Sequence, residues 1–220
     1  MKSSLTIPEL ARFTSSQMNT FFPDGNPILP SDILRPLRES LGRLECCLKG
    51  LISPHFTRDG EPFFFHLHSD QSSMYLYLLA NTAFKLGGEK NLDLARKAYL
   101  LNKALHGLEV FYENNLPEIF WFAHSVGSVI GRASYGNRLM VMQGCTVGNK
   151  GGKYPVFGDR VVHCAGSKVL GGVIGSGVCI GAGSLLIGET IPDNSIVVGS
   201  SPNIRVLQRK SQLINRYFSE

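Results

Sequence analysis

One histidine stands apart in this sequence by the company it keeps. His124 lies in His124-Ser125-Val126-Gly127-Ser128-Val129-Ile130-Gly131, a run of small and aliphatic residues where an imidazole is costly without a partner. Imidazole changes charge near neutral pH, so a histidine in such a place can act as a general base. His163 competes with it, but falls between Phe157 and Val169 where the local pattern asks for an inward aliphatic side chain. That position reads as a core histidine. His66 and His68 form a His-x-His within Phe63-Phe64-Phe65-His66-Leu67-His68. No third ligand follows at a recognisable distance, so they read as polar caps on an aromatic cluster rather than a metal site. His55 and His106 carry no pattern.

The element that must position His124 is a repeat. From Ile130 to Gly199 an aliphatic residue returns about every six positions, usually beside a small one: Ile130-Gly131, Val147-Gly148, Phe157-Gly158, Ile174-Gly175, Ile180-Gly181 and Val197-Val198-Gly199. Six is neither the helical period nor strand alternation. It is the mark of a hexapeptide β-helix, in which each unit makes one side of a triangular coil and stacking buries the aliphatic row. Two places break the rhythm. Val169 to Ile174 is five residues, read as a corner irregularity, and Gly148 to Pro155 is an extra run, read as a loop thrown out from the prism. Such loops carry function more often than regular coils do.

The first half reads as helical. A short helix is expected around 8–13, with turns after it through Pro30. Pro36 to Leu48 carries Leu37, Leu41, Leu44 and Leu48 on one stripe. A connector rich in Pro, Gly and Phe covers 52–69. Asp70 is a good N-cap for a helix from Gln71 to Leu86, which Gly87-Gly88 stops. A third helix spans Asn91 to Leu105, and Leu108 to Tyr112 alternates like a strand. The expected division is therefore an α-helical domain at 1–106, the β-helix at 107–204 and a C-terminal helical tail at 205–220, with Leu207, Ile214 and Phe218 on one side.

Composition fits a globular chain: 220 residues, 43% apolar and 18% charged. No apolar run is long enough to span a bilayer, and the first residues lack the continuous apolar core of a secretory signal. The five cysteines are odd in number with no Cys-x-x-Cys spacing, so a reduced, cytoplasmic protein is expected. A net charge of +5 could steer an anionic ligand such as a coenzyme. With no basic block and no aromatic-basic interleaving, nucleic acid is not expected as a partner.

Four runs together carry a resemblance: His124-x-x-Gly127-x-Val129-Ile130-Gly131, Gln143-x-Cys145-Thr146-Val147-Gly148, Gly166-Ser167-Lys168-Val169-Leu170-Gly171 and Ile180-Gly181-Ala182-Gly183-Ser184. Over 109–202 the chain resembles the serine O-acetyltransferase family of hexapeptide acyltransferases. The resemblance implies a left-handed parallel β-helix after a mainly helical domain, trimers or paired trimers, and acetyl-CoA lying between adjacent prisms as co-substrate, with no metal. It puts His124 at the catalytic base and Glu109 at the carboxylate that orients it. It assigns coenzyme contacts to Gly148, Asn149 and Lys150 of the loop, and to Ala165, Ser167, Lys168, Ala182 and Gly183 of later coils.

The chain also departs from that family. Ala123 and Arg132 stand where the family has acidic residues, and Lys153-Tyr154-Pro155 replaces an Arg-His-Pro run that helps hold the serine carboxylate. Asp70, Arg132 and Tyr154 are the substitutes for acceptor contacts. The acceptor is thus open between L-serine and a sugar or sugar nucleotide, and a non-catalytic scaffold is the third reading. The run Phe218-Ser219-Glu220 lacks the family's terminal isoleucine, so no cysteine synthase complex is expected.

Overall fold

The structure is a computed structural model, and it describes residues 1–208 and 216–219. Four helices come first: α1 (Ile7–Phe21), α2 (Pro30–Lys49), α3 (Ser69–Leu86) and α4 (Glu89–His106). Each is longer than the sequence pattern suggested. α1 continues through Thr14 and Ser15 because both are buried and satisfied: Thr14 Oγ1 lies 2.9 Å from the Tyr75 hydroxyl, and Ser15 donates to the Ile28 carbonyl at 2.6 Å. α2 starts at Pro30, with Asp32 accepting from the Leu29 N–H at 3.0 Å, so Pro36 sits inside the helix rather than opening it. α3 starts one residue before Asp70, with His68 at the N-cap. Asp70 is therefore not a cap. No helix among the described residues is long and apolar enough to cross a membrane.

From Glu109 the chain winds into a parallel β-solenoid with three faces, consistent with a left-handed β-helix. One face stacks Glu109–Val110, Val129–Ile130, Thr146–Gly148, Lys168–Leu170 and Leu185–Ile187. The second stacks Phe120–Phe122, Leu139–Val141, Val162–His163, Cys179–Ile180 and Ser195–Ser200. The third stacks Ser134–Tyr135, Val156–Phe157, Val173–Ile174 and Thr190–Ile191. Inward side chains such as Ile130, Val147, Val169 and Leu186 are buried in a single column.

The five-residue step is not an irregularity. Val156, Val173 and Thr190 pair in register, so a regular coil has 17 residues, and the short side recurs at Ile130 to Tyr135, Val169 to Ile174 and Leu186 to Ile191. Gly171 and Gly172 turn one of these short corners at φ +66 and +91, where a side chain on Gly172 would meet the Glu189 carbonyl. The helices close the upper end of the solenoid. The Tyr77 hydroxyl donates to the Asn114 carbonyl at 2.8 Å and accepts from the Leu116 N–H at 2.9 Å, pinning α3 to the first coil.

The expected tail helix is replaced over its first residues by a strand. Asn203–Gln208 pairs antiparallel with Ser195–Ser200, setting Val206 and Leu207 on an exposed edge. Ile214 lies outside the described residues. Phe218 is buried beside Leu51 of the helical layer.

Candidate active site

His124 owes its place to an insertion. Phe122 registers with Val141, and Val129 with Thr146. The chain therefore takes seven steps over this corner of the first coil where the coil below takes five. Backbone bonds locate the extra pair: Gly144 N–H bonds the Val126 carbonyl at 2.9 Å, as Gly166 N–H bonds the Gln143 carbonyl at 2.8 Å one coil down. Val126 thus sits above Gln143, and His124-Ser125 is the bulge. His124 takes φ +52, a left-handed conformation rare for a side-chain-bearing residue and costly unless its surroundings enforce it. Its ring projects into solvent, 82% exposed.

The enforcing group is Asp70. Its carboxylate is 4% exposed and serves three neighbours. Oδ1 accepts from the His124 backbone N–H at 3.1 Å and lies 3.8 Å from His124 Nδ1. Oδ2 accepts from Trp121 Nε1–H at 3.1 Å, and the Ser69 hydroxyl reaches Oδ1 at 3.4 Å. Because α3 begins at Ser69, Asp70 lies in its first turn, where the helix dipole favours a carboxylate. A small hollow beside it is lined by Ser69, Asp70, His106, His124, Ser125 and Val126. His106 comes from the last turn of α4, with Nε2 3.2 Å from the Ser72 hydroxyl. Burial pushes its pKa down, against an upward pull from Asp70. No sequence signal pointed to His106, because nothing in a helix C-terminus marks what the fold sets beside it.

Glu109 does not join this group in the chain. Its carboxylate pairs with Lys103 of α4. Asp70, assigned from sequence to the acceptor, is instead spent on His124, Trp121 and Ser69. The carboxylate beside His124 is thus that of Asp70, 54 positions away in sequence, which accepts from the His124 backbone N–H.

Below His124 the corner continues as a column of glycines. Gly127, Gly144, Gly166 and Gly183 stack at φ +65 to +74. Outside them stand Val126, Gln143, Ala165 and Ala182, the last two small as expected for a groove. Ser167 does not line it. It belongs to the inward column Ser128, Cys145, Ser167 and Ser184, is fully buried, and lies 3.2 Å from His163 Nδ1. Lys168 is exposed on the adjoining face, its Nζ bonding the Gly166 carbonyl at 3.3 Å. His163 is in the interior as its register required, and burial holds its pKa down to about 4, so it is neutral.

The remaining residues occupy a different corner. The 149–153 loop is a tight hairpin, with Lys150 and Lys153 exchanging backbone bonds at 3.0 and 3.1 Å. Asn149 Oδ1 accepts from the Gly152 N–H at 3.2 Å, and Lys150 reaches down to the Ile187 carbonyl at 3.5 Å. Arg132 lies over the exposed Tyr154 ring, 5.7 Å from its centroid. Neither residue lines the His124 hollow. The sequence-derived set therefore splits between two corners of one prism.

No family model matches the chain. By sequence, 123 residues are 33% identical to a serine acetyltransferase of Staphylococcus aureus, covering 53% of this chain and 57% of that protein. A serine acetyltransferase of Staphylococcus epidermidis is 31% identical over 133 residues, or 58% of this chain and 61% of its own length. The match thus spans somewhat over half of these curated relatives. Among solved structures, the serine acetyltransferase of Brucella abortus superposes with a TM-score of 0.68 at 19% identity, covering 93% of this chain and 84% of the other. That of Vibrio cholerae gives 0.69 at 17%, covering 92% and 80%.

The chain is similar to serine acetyltransferases. The structural likeness carries the fold, including the helical layer over the solenoid. The sequence likeness supports a serine acetyltransferase-like chain. One superposed structure, at a TM-score of 0.66 and 16% identity over 92% of this chain and 85% of its own, is a serine acetyltransferase in complex with CoA.

Proposed function

We propose that this chain is an acetyl-CoA-dependent O-acetyltransferase in which His124 is the general base. The observation that carries the reading is the bulged corner: an exposed imidazole whose backbone is fixed by the buried Asp70, standing at the head of a column of corner glycines flanked lower down by Ala165 and Ala182. His124 takes the proton from the acceptor hydroxyl as its oxygen attacks the thioester carbonyl. The tetrahedral intermediate collapses with cleavage of the carbon–sulfur bond, and the proton passes to the departing thiolate. The buried charge of Asp70 stabilises the imidazolium that forms between those steps. The pantetheine arm would lie along Ala165, Ala182 and Gly183, where added bulk would obstruct it.

The second corner enters through assembly. In a trimer of parallel prisms, the loop residues Gly148, Asn149 and Lys150, with Arg132 and Tyr154, would face the His124 corner of a neighbour. That arrangement reunites the split set, and leaves Glu109 at the rim of the same groove. L-serine is the first acceptor, supported by the named activity of the relatives. A sugar or sugar-nucleotide hydroxyl is the second, favoured by Arg132 over Tyr154, an exposed cationic and aromatic pair that suits an anionic or ring-shaped acceptor.

Thermal unfolding with and without acetyl-CoA tests the coenzyme claim. A ligand at a hundredfold excess over its Kd stabilises the folded form by about 2.7 kcal/mol. For a chain of this size that is a rise in Tm of roughly 5 to 10 °C. A rise that Ala182→Trp removes supports the groove. No rise at saturating acetyl-CoA favours the non-catalytic scaffold.

A further inference from the structure

The 216–219 segment returns from the far end of the solenoid to the helical layer, and its contacts there form a short chain leading to His124. Gln208 pairs with Ser195 in the last coil, yet Phe218 bridges to Leu51 just after α2. Four polar contacts hold the segment down. The Tyr217 carbonyl accepts from the Ile52 N–H at 2.8 Å, and Ser219 N–H bonds the Gly50 carbonyl at 3.1 Å. The Ser219 hydroxyl donates to the Lys49 carbonyl at 3.2 Å, and Arg138 Nε donates to the Ser219 carbonyl at 3.2 Å. Lys49 ends α2 and Gly50 and Ile52 follow it, whereas Arg138 belongs to the second coil. The segment therefore ties the helical layer to the solenoid.

Its aromatic residues do more than fill space. Phe218 is 2% exposed. The Tyr217 ring meets Trp121 edge-on, with centroids 6.2 Å apart and an interplanar angle of 75°. Phe56 holds Trp121 on another side at 5.1 Å and 65°. Held between these rings, the indole points Nε1–H at Asp70 Oδ2, 3.1 Å away, and Asp70 Oδ1 fixes the His124 backbone. An indole N–H has a single direction in which to donate, so the angle of the ring sets where the carboxylate rests.

We infer that Tyr217 is a positioning residue for His124, acting through Trp121 and Asp70, with the buried Phe218 as the anchor that holds the segment in place. This rests on the assignment of His124 as base, but not on the identity of the acceptor. It gives the 216–219 segment an internal role, its aromatic residues being engaged by the chain's own helical layer and first coil.

Trp121 is the sole tryptophan of the sequence, so tryptophan fluorescence reports this indole alone. The experiment compares full-length protein with Tyr217→Ala, Tyr217→Phe and Phe218→Ala in three readouts: indole emission with acrylamide quenching, the His124 imidazole resonances by NMR, and kcat and KM for acetyl-CoA by thiol release. Tyr217→Ala leaves the buried Phe218 anchor in place, so it remains informative if Phe218→Ala unfolds. The expected result for Tyr217→Ala is stronger quenching, shifted His124 resonances, and a kcat about 10-fold lower at unchanged KM, since small misplacements of a reacting group cost this much or more. Tyr217→Phe, which keeps the ring, should behave as the parent protein in all three. Unchanged emission in Tyr217→Ala would overturn the contact. Altered emission with unmoved His124 resonances would overturn the positioning role. Because neither readout needs turnover, both stand even if the parent protein releases no thiol, a result that would count against the acetyltransferase reading instead.

Discussion

Asp70 Oδ1 lies 3.1 Å from the backbone nitrogen of His124 and 3.8 Å from its Nδ1. One buried carboxylate thus holds both the strained backbone and the neighbourhood of the ring. Its two effects can be separated. Asp70→Asn keeps one acceptor oxygen, for the His124 N–H, but turns an NH2 towards Trp121 Nε1–H and removes the charge. Its kcat should fall about 100-fold, within the usual contribution of acid–base machinery, with a stability loss of about 1–3 kcal/mol from the one orphaned indole N–H. Asp70→Ala leaves both the Trp121 and His124 N–H groups without a partner, each costing about 1–3 kcal/mol. Kinetics and thermal melts on the two variants distinguish these losses.

The same geometry ranks the two carboxylates. Glu109 is held by Lys103 at the surface, and such exposed pairs contribute little to stability. Glu109→Gln should therefore lower kcat much less than Asp70→Asn does. The reverse order, measured by thiol release on both variants, would restore to Glu109 the orienting role its sequence position suggests.

Much of this was readable from the chain. The inward columns, the loop after Gly148 and the burial of His163 all follow from counting residues along the repeat. Asp70 was legible as important but not as His124's partner, because its contact crosses 54 positions and depends on α3 starting at Ser69 rather than Gln71. Ser167 was misplaced for a related reason. A serine beside a corner glycine can face in or out, and only the coil register puts it in line with Cys145 and Ser184 inside. The five-residue side was read as an irregularity at Val169 to Ile174 because the loop insertion hid its counterpart in the coil above, and Tyr135 and Thr190-Ile191 lack the aliphatic–glycine pair that marks the other sides. α1 was underestimated since Thr14 and Ser15 favour turns until tertiary partners satisfy their hydroxyls.

His163 should govern acid stability. Burial lowers its folded pKa to about 4, below the ordinary value near 6.5 of an unfolded chain. Between those values the unfolded chain binds the extra proton, so stability is complete above about pH 6.5 and is lost as pH falls towards 4. The loss is on the order of 3 kcal/mol. His106, shifted in the same direction by burial, adds to it. His163→Leu, which continues the Val141 and Ile180 column, should flatten this part of the pH–stability curve in urea titrations. An unchanged slope would place the acid-sensitive group elsewhere.

The proposed path of the pantetheine arm below His124 makes a prediction about bulk. Ala182 is exposed at the corner, so Ala182→Trp should leave the unfolding midpoint within about 0.5 kcal/mol, as surface changes usually do. It should nevertheless raise KM for acetyl-CoA by an order of magnitude or more while a short thioester donor is less affected. Equal effects on both donors would remove this corner from the coenzyme's path.

The most direct test of the account is thiol release from acetyl-CoA in the presence of L-serine, comparing the parent protein with His124→Ala. A general base contributes roughly 100- to 10,000-fold, and the account predicts a loss in that range for His124→Ala, with the acetyl-CoA-induced rise in Tm retained. Acceptor-dependent release at equal rates in both proteins would contradict it.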